Sequence, residues 1–192
     1  MYTPRDVSGL RVGARYVSPG WALFDHRKLM EEIASQLQWE EHDVDRKEAF
    51  FKRLDVDYRY GPGRPVRPYY PQPEPPALKA LWAQVERFLR FEVEACFINY
   101  YLNHEGNIGW HSDNSPTMDH SKPLTLLSLG DSRVLCVRPI GETEFQEVVW
   151  LEGGSLFIMY PHQQFTHQHC SPRTLNPGGP RMSLVFRPLL RS

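Results

Sequence analysis

The chain has 192 residues, of which 41% are hydrophobic, 12% aromatic and 23% charged, with a formal net charge of -1. That length suits one domain with a sizeable core. The near-neutral balance excludes a globally basic nucleic-acid binder, so any phosphate contact must come from a local patch.

The N-terminus, Met1 to Asp6, lacks a charged-then-apolar leader pattern, and no run approaches about 18 apolar residues. A soluble, intracellular, monomeric protein of cytoplasm or nucleus, with no membrane association, is expected. Residues 1–24 carry Pro4, Pro19 and several glycines. Tyr16-Val17 and Ala22-Leu23-Phe24 are expected as short edge strands. From Asp25, a plausible N-cap, Leu29, Met30, Ile33, Ala34 and Leu37 recur at helical spacing, which predicts a helix over 26–38. Residues 39–52 are dense in charge and read as a solvated loop or short helix.

Residues 53–71 interleave Arg53, Arg59, Arg64 and Arg67 with Tyr58, Tyr60, Tyr69 and Tyr70 among prolines and glycines. That composition suits phosphates and stacked bases, or else a proline-rich connector. Pro75-Pro76 opens a second helix, with Leu78, Leu81, Trp82, Val85, Phe88 and Leu89 on one apolar face. After Phe91 the chain turns extended through Val93 to Tyr101, and His104 to Asn107 make a turn. Further on, runs at 124–129, 133–138, 145–151, 155–160 and 182–186 alternate with turn signals, which predicts a β-sandwich or jelly roll. Cys96, Cys136 and Cys170 are scattered without a CxxC and read as reduced thiols.

The chemistry concentrates at Ile108-Gly109-Trp110-His111-Ser112-Asp113-Asn114. His111 and Asp113 stand two apart, so on a strand they share a face and can serve one ion. Two His and one carboxylate on one face are how oxygen-activating iron(II) sites leave coordination positions open. A second His comes from Phe165-Thr166-His167-Gln168-His169. His167 and His169 are both candidates, since an extended segment points both the same way. Twelve residues past His169 begins a strand with Arg181, Ser183, Val185 and Arg187 on one face. Two arginines facing a β-core need anions, and a dicarboxylate suits the guanidinium fork.

Taken together these residues resemble the AlkB family of iron(II)- and 2-oxoglutarate-dependent dioxygenases, from about Arg53 to Arg187. The resemblance rests on His111-x-Asp113, the distal His, Arg181-x5-Arg187, Asn99-x-Tyr101 and the run Leu124 to Gly130 with Arg133. It implies an α+β fold: a double-stranded β-helix (jelly-roll) core with N-terminal helices packed on one face. It implies a single domain over 1–192, with 1–52 as a helical extension and 53–71 as a substrate-recognition lid. Fe(II) would be held by His111, Asp113 and His169, the catalytic set. Asn99, Tyr101, Arg181, Ser183 and Arg187 would bind 2-oxoglutarate, with Arg187 nearer Asp113, and O2 would be the third cofactor. The implied reaction is oxidative demethylation of N-alkylated bases in DNA or RNA, releasing formaldehyde, succinate and CO2. Tyr58, Tyr60, Arg64, Arg67, Trp110 and Asn114 would contact that substrate, Trp110 as a stacking surface or as ordinary packing. Asn114 stands where nucleic-acid-acting members often carry an acid, which leaves open the same chemistry on a protein side chain or small molecule. A catalytically silent nucleic-acid-binding module is a further alternative.

Overall fold

The computed structural model describes residues 6–10, 12–43, 46–54, 70–175 and 178–191. Helix α1 (His26–Gln36) starts where the Asp25 carboxylate accepts the N–H groups of Arg27 and Lys28 at 3.0 and 3.1 Å. This satisfies donors that have no partner inside the helix. Helix α2 (Pro76–Leu89) has proline in its first turn and stops at Arg90, whose left-handed φ of 64° lets its N–H close on the Glu86 carbonyl. Proline costs nothing at a helix start, because the missing N–H would be unsatisfied anyway.

The twelve strands described are β1 (Asp6–Leu10), β2 (Ala14–Val17), β3 (Glu40–Asp43), β4 (Arg46–Lys52), β5 (Ala95–Tyr101), β6 (Ile108–His111), β7 (Leu124–Gly130), β8 (Arg133–Pro139), β9 (Glu147–Leu151), β10 (Leu156–Met159), β11 (His167–Ser171) and β12 (Arg181–Arg187). A single turn, α3 (Gln163–Thr166), precedes β11. The strands make an eight-stranded sheet in the order β1-β2-β10-β7-β12-β5-β4-β3 and a four-stranded sheet in the order β6-β11-β8-β9. Every pairing between these strands is antiparallel, and the two sheets are consistent with a jelly roll.

Side-chain alternation along the central strands sorts the core into two layers. Met182, Leu184 and Phe186 of β12 join Ile98 of β5 and Leu127 and Leu129 of β7 in one cluster, with Met30 and Ile33 of α1 and Leu78, Leu81 and Trp82 of α2. Val185, Phe97 and Leu126 face the other way and meet Leu135, Val137, Val149 and Leu151 of the smaller sheet. Trp82 is fully buried; its indole N–H donates to the Val93 carbonyl at 3.2 Å, and the Arg53 guanidinium lies 4.0 Å over its ring. Losing that ring would cost about 3–5 kcal/mol.

The runs foreseen at 26–38, 76–89 and after residue 93 appear as these elements, with boundaries shifted by a few residues. Three expectations do not hold. Residues 39–52 form the β3–β4 hairpin, and β4 pairs with β5 along its whole length, from Arg46↔Tyr101 to Lys52↔Ala95. Its charges hid it: Arg46 and Glu48 pair with each other at 3.0 Å on the inward side. Ala22 to Phe24 form no strand; there the Trp21 indole N–H donates to the Gly154 carbonyl at 2.8 Å. Tyr16-Val17 belongs to β2, which is interior, lying between β1 and β10. The described residues among the first 52 thus contribute one helix and four strands. Of the segment 53–71, residues 55–69 lie outside the described residues, and with them Tyr58, Tyr60, Arg64 and Arg67. Among the described residues no helix is long and apolar enough to cross a membrane.

Candidate metal centre

The antiparallel register of β6 and β11 sets His111 directly opposite His169, with ring centroids 4.3 Å apart. Asp113 follows β6 by two residues, and its Oδ2 lies 3.5 Å from Nε2 of His169. The ligand atoms of His111, Asp113 and His169 all lie within 4.8 Å of one another. A common point therefore sits within about 3 Å of each, near transition-metal bond lengths of roughly 2.0–2.2 Å.

Neighbouring groups hold each ligand in place. Nδ1 of His111 lies 2.8 Å from the Gly109 carbonyl. A carbonyl only accepts, so Nδ1 carries the proton and Nε2 keeps its lone pair for an ion. The Asp113 N–H donates to Oε1 of Gln164 at 2.8 Å, and Nη2 of Arg187 donates to Oδ1 of Asp113 at 2.8 Å. Burial alone would raise the Asp113 pKa, but the hydrogen bond to His169 and the two imidazoles outweigh it and hold the carboxyl below its usual range. Gln164 carries no sequence signal of its own: it sits in the single turn α3 and is recognisable only once that turn is seen beside Asp113.

His167 stands apart. Its ring bonds Oγ1 of Thr166 at 2.8 Å and Oε1 of Gln146 at 2.9 Å, and the triad contains His169 instead. Burial and nearby His162 lower the His167 pKa.

A polar wall faces this centre from the large sheet. Register puts Arg46, Tyr101 and Arg181 in one row across β4, β5 and β12, and Glu48, Asn99 and Ser183 in the next. Arg181 is 1% exposed; its Nε donates to Oγ of Ser128 at 3.0 Å, and the Tyr101 ring centroid lies 5.3 Å from the guanidinium. Its Nη2 is buried with no hydrogen-bond partner, as is Oδ1 of Asn99. Burial pushes the Arg181 pKa down to about 10 and that of Arg187 down to about 9. A buried guanidinium with an unused donor fits a carboxylate ligand. The carbonyls of Asn103 and Gly106 accept from Arg133 at 2.7 and 3.0 Å, which fixes the loop between Tyr101 and β6.

Trp110 does not face this space. Adjacent residues of a strand point oppositely, so with His111 inward Trp110 points out, where it packs under Arg138 at 4.0 Å and against Phe145 at 5.7 Å. Asn114 is half-buried just beyond Asp113. Glu48, Arg46 and Gln164 belong to the site's surroundings and escaped the sequence reading.

Comparison with known proteins agrees with this arrangement. The sequence pattern of the 2OG-Fe(II) oxygenase superfamily matches residues 18–187. The human protein named alpha-ketoglutarate-dependent dioxygenase alkB homolog 3 is 25% identical over 175 residues, covering 83% of this chain and 60% of that protein. Human nucleic acid dioxygenase ALKBH1 is 33% identical over 93 residues, covering 48% of this chain and 23% of that protein. The chain thus spans less than two thirds of the length of these relatives. The solved structure of OsALKBH1 shares the fold at a TM-score of 0.62 and 18% identity, covering 94% of this chain and 99% of that one. A 2OG-Fe(II) oxygenase family oxidoreductase from Burkholderia pseudomallei does so at 0.55 and 18%, covering 92% and 84%.

Proposed function

Because this chain belongs to the 2OG-Fe(II) oxygenase superfamily, and within it to the AlkB family, we propose that it is a dioxygenase that oxidatively demethylates N-alkylated bases in DNA or RNA. The observation that carries the reading is the His111–Asp113–His169 cluster, buried at Asp113 and His169, with Arg181 holding an unused donor on the facing wall. Fe(II), 2-oxoglutarate and O2, when bound, supply the chemistry that hydroxylates an N-alkyl carbon, with succinate and CO2 as coproducts and formaldehyde lost afterwards.

The chain's own residues do the rest. Gly109 keeps Nε2 of His111 available, while Gln164 and Arg187 fix the direction of the Asp113 carboxylate. Arg181, with Tyr101, Asn99 and Ser183 beside it in register, offers the anchor for a dicarboxylate. Burial of Asp113 and His169 keeps bulk water from that face of the site. A target base must leave the stack to reach so buried a centre. Tyr58, Tyr60, Arg64 and Arg67 would then grip the strand as a lid, a role that rests on sequence alone, and Asn114 would meet the base edge.

The test is a turnover comparison of N-methylated oligonucleotides, methylated peptides and small methylamines, scored by formaldehyde release. Release from the oligonucleotides and not from the others is expected; the opposite preference would move the same iron chemistry to another substrate.

A further inference from the structure

With Trp110 turned outward, the stacking surface must be sought elsewhere around the centre. Phe165 lies in α3 directly after Gln164, the residue bonded to the Asp113 N–H, and it is 54% exposed. Its ring is paired with that of His120 at 4.7 Å between centroids, at an angle of 58°. His120 is in turn tied by Nε2 to the Ser115 carbonyl at 3.2 Å, two residues beyond Asp113. Both rings are therefore mounted on the two segments that hold the Asp113 backbone. Asp113, Ser115 and Gln164 are 3%, 1% and 2% exposed, so the aromatic pair stands at the solvent edge of a buried anchor.

We infer that Phe165, braced by His120, is the face on which an unstacked nucleobase rests beside the metal centre, with Asn114 within reach of its edge. The inference rests on the nucleic-acid reading above and deepens it. A flat ring stacks on any base, because every base offers a π-face, and it leaves edge recognition to polar neighbours. An isolated exposed Phe would carry no such meaning. Here the ring is held by a second ring and adjoins the residue that orients a candidate metal ligand.

The test uses the full chain with Mn(II) and 2-oxoglutarate, and a single-stranded oligonucleotide carrying one 2-aminopurine, whose fluorescence falls when the base stacks. Wild type is expected to bind and quench it. Phe165→Ala is expected to lose the quenching and to weaken binding roughly 5- to 150-fold, the range of one base–aromatic stack. Phe165→Leu, which keeps the bulk without the flat face, is expected to behave like Ala, and Phe165→Trp to restore quenching. The thermal shift given by 2-oxoglutarate should be the same in all four proteins. Wild-type quenching and affinity in both Ala and Leu variants would overturn the stacking role alone. If wild type binds no oligonucleotide and acts on a peptide, the substrate reading falls and this inference with it.

Discussion

Arg181→Met separates a cosubstrate anchor from a structural cation. Arg181 is fully buried, its Nη2 has no protein partner, and burial lowers its pKa from 12.5 to about 10. Folded and unfolded forms are both protonated at pH 7, so the ligand-free protein bears the cost of the buried charge, roughly 3 kcal/mol at about 1.4 kcal/mol per pH unit. That cost would fade only as pH rises through the lowered value. Methionine removes the charge at similar length and gives up the bond to Ser128, which is worth about 1 kcal/mol. The ligand-free variant should therefore be more stable by about 2 kcal/mol, or roughly 4–8 °C in Tm for a domain of this size. The wild type should gain about 2.7 kcal/mol when 2-oxoglutarate is at a hundred times its Kd, and the variant almost nothing. Thermal unfolding with Mn(II), with and without 2-oxoglutarate, reads both effects. A variant that is less stable alone and still responds fully to 2-oxoglutarate would refute the assignment and make Arg181 a structural ion.

His169→Ala should abolish metal binding measured by titration calorimetry, whereas His167→Ala should retain it, because the His167 ring is engaged by Thr166 and Gln146; the reverse ranking would make His167 the ligand. Gln164→Leu should cost about 1–3 kcal/mol of stability by leaving the Asp113 N–H unpaired, and about 10- to 100-fold in metal affinity. Unaltered metal affinity would remove Gln164 from the list of positioning residues. Tyr16 donates to Oε2 of Glu152 at 2.8 Å, and burial with that bond raises its pKa to about 12. A raised pKa contributes stability that is complete below the unfolded value near 10 and lost as pH rises through 12. Tyr16→Phe should thus show a flatter alkaline limb over that window in denaturant titrations, and an identical limb would dismiss the linkage.

Much of this could be read from the sequence where physics imposes a period. Alternation along β12 announced that Arg181, Ser183 and Arg187 share a face, and the register with β5 sets them against Tyr101, Asn99 and Ala95. The spacing of His111 and Asp113 carried the metal centre, but only the fold could show that His169, not His167, meets them. The strand β4 was missed because charges on a pocket wall look like charges on a surface: Arg46 and Glu48 satisfy each other inward. For Trp110, stacking and packing were both open, and its place next to inward-facing His111 favours packing. Gln164 had no periodic or motif signal, and its role arises wholly from tertiary contact with Asp113.

Whether His111, Asp113 and His169 form one oxidising centre serving a nucleic-acid substrate is read most directly as formaldehyde and succinate released together from a single-stranded oligonucleotide bearing one N-methylated base, with Fe(II), 2-oxoglutarate and O2. Equal amounts of the two are expected from wild type, and neither from His111→Ala or Asp113→Asn. Succinate without formaldehyde from every methylated oligonucleotide tried, or formaldehyde release that survives in both variants, would contradict it.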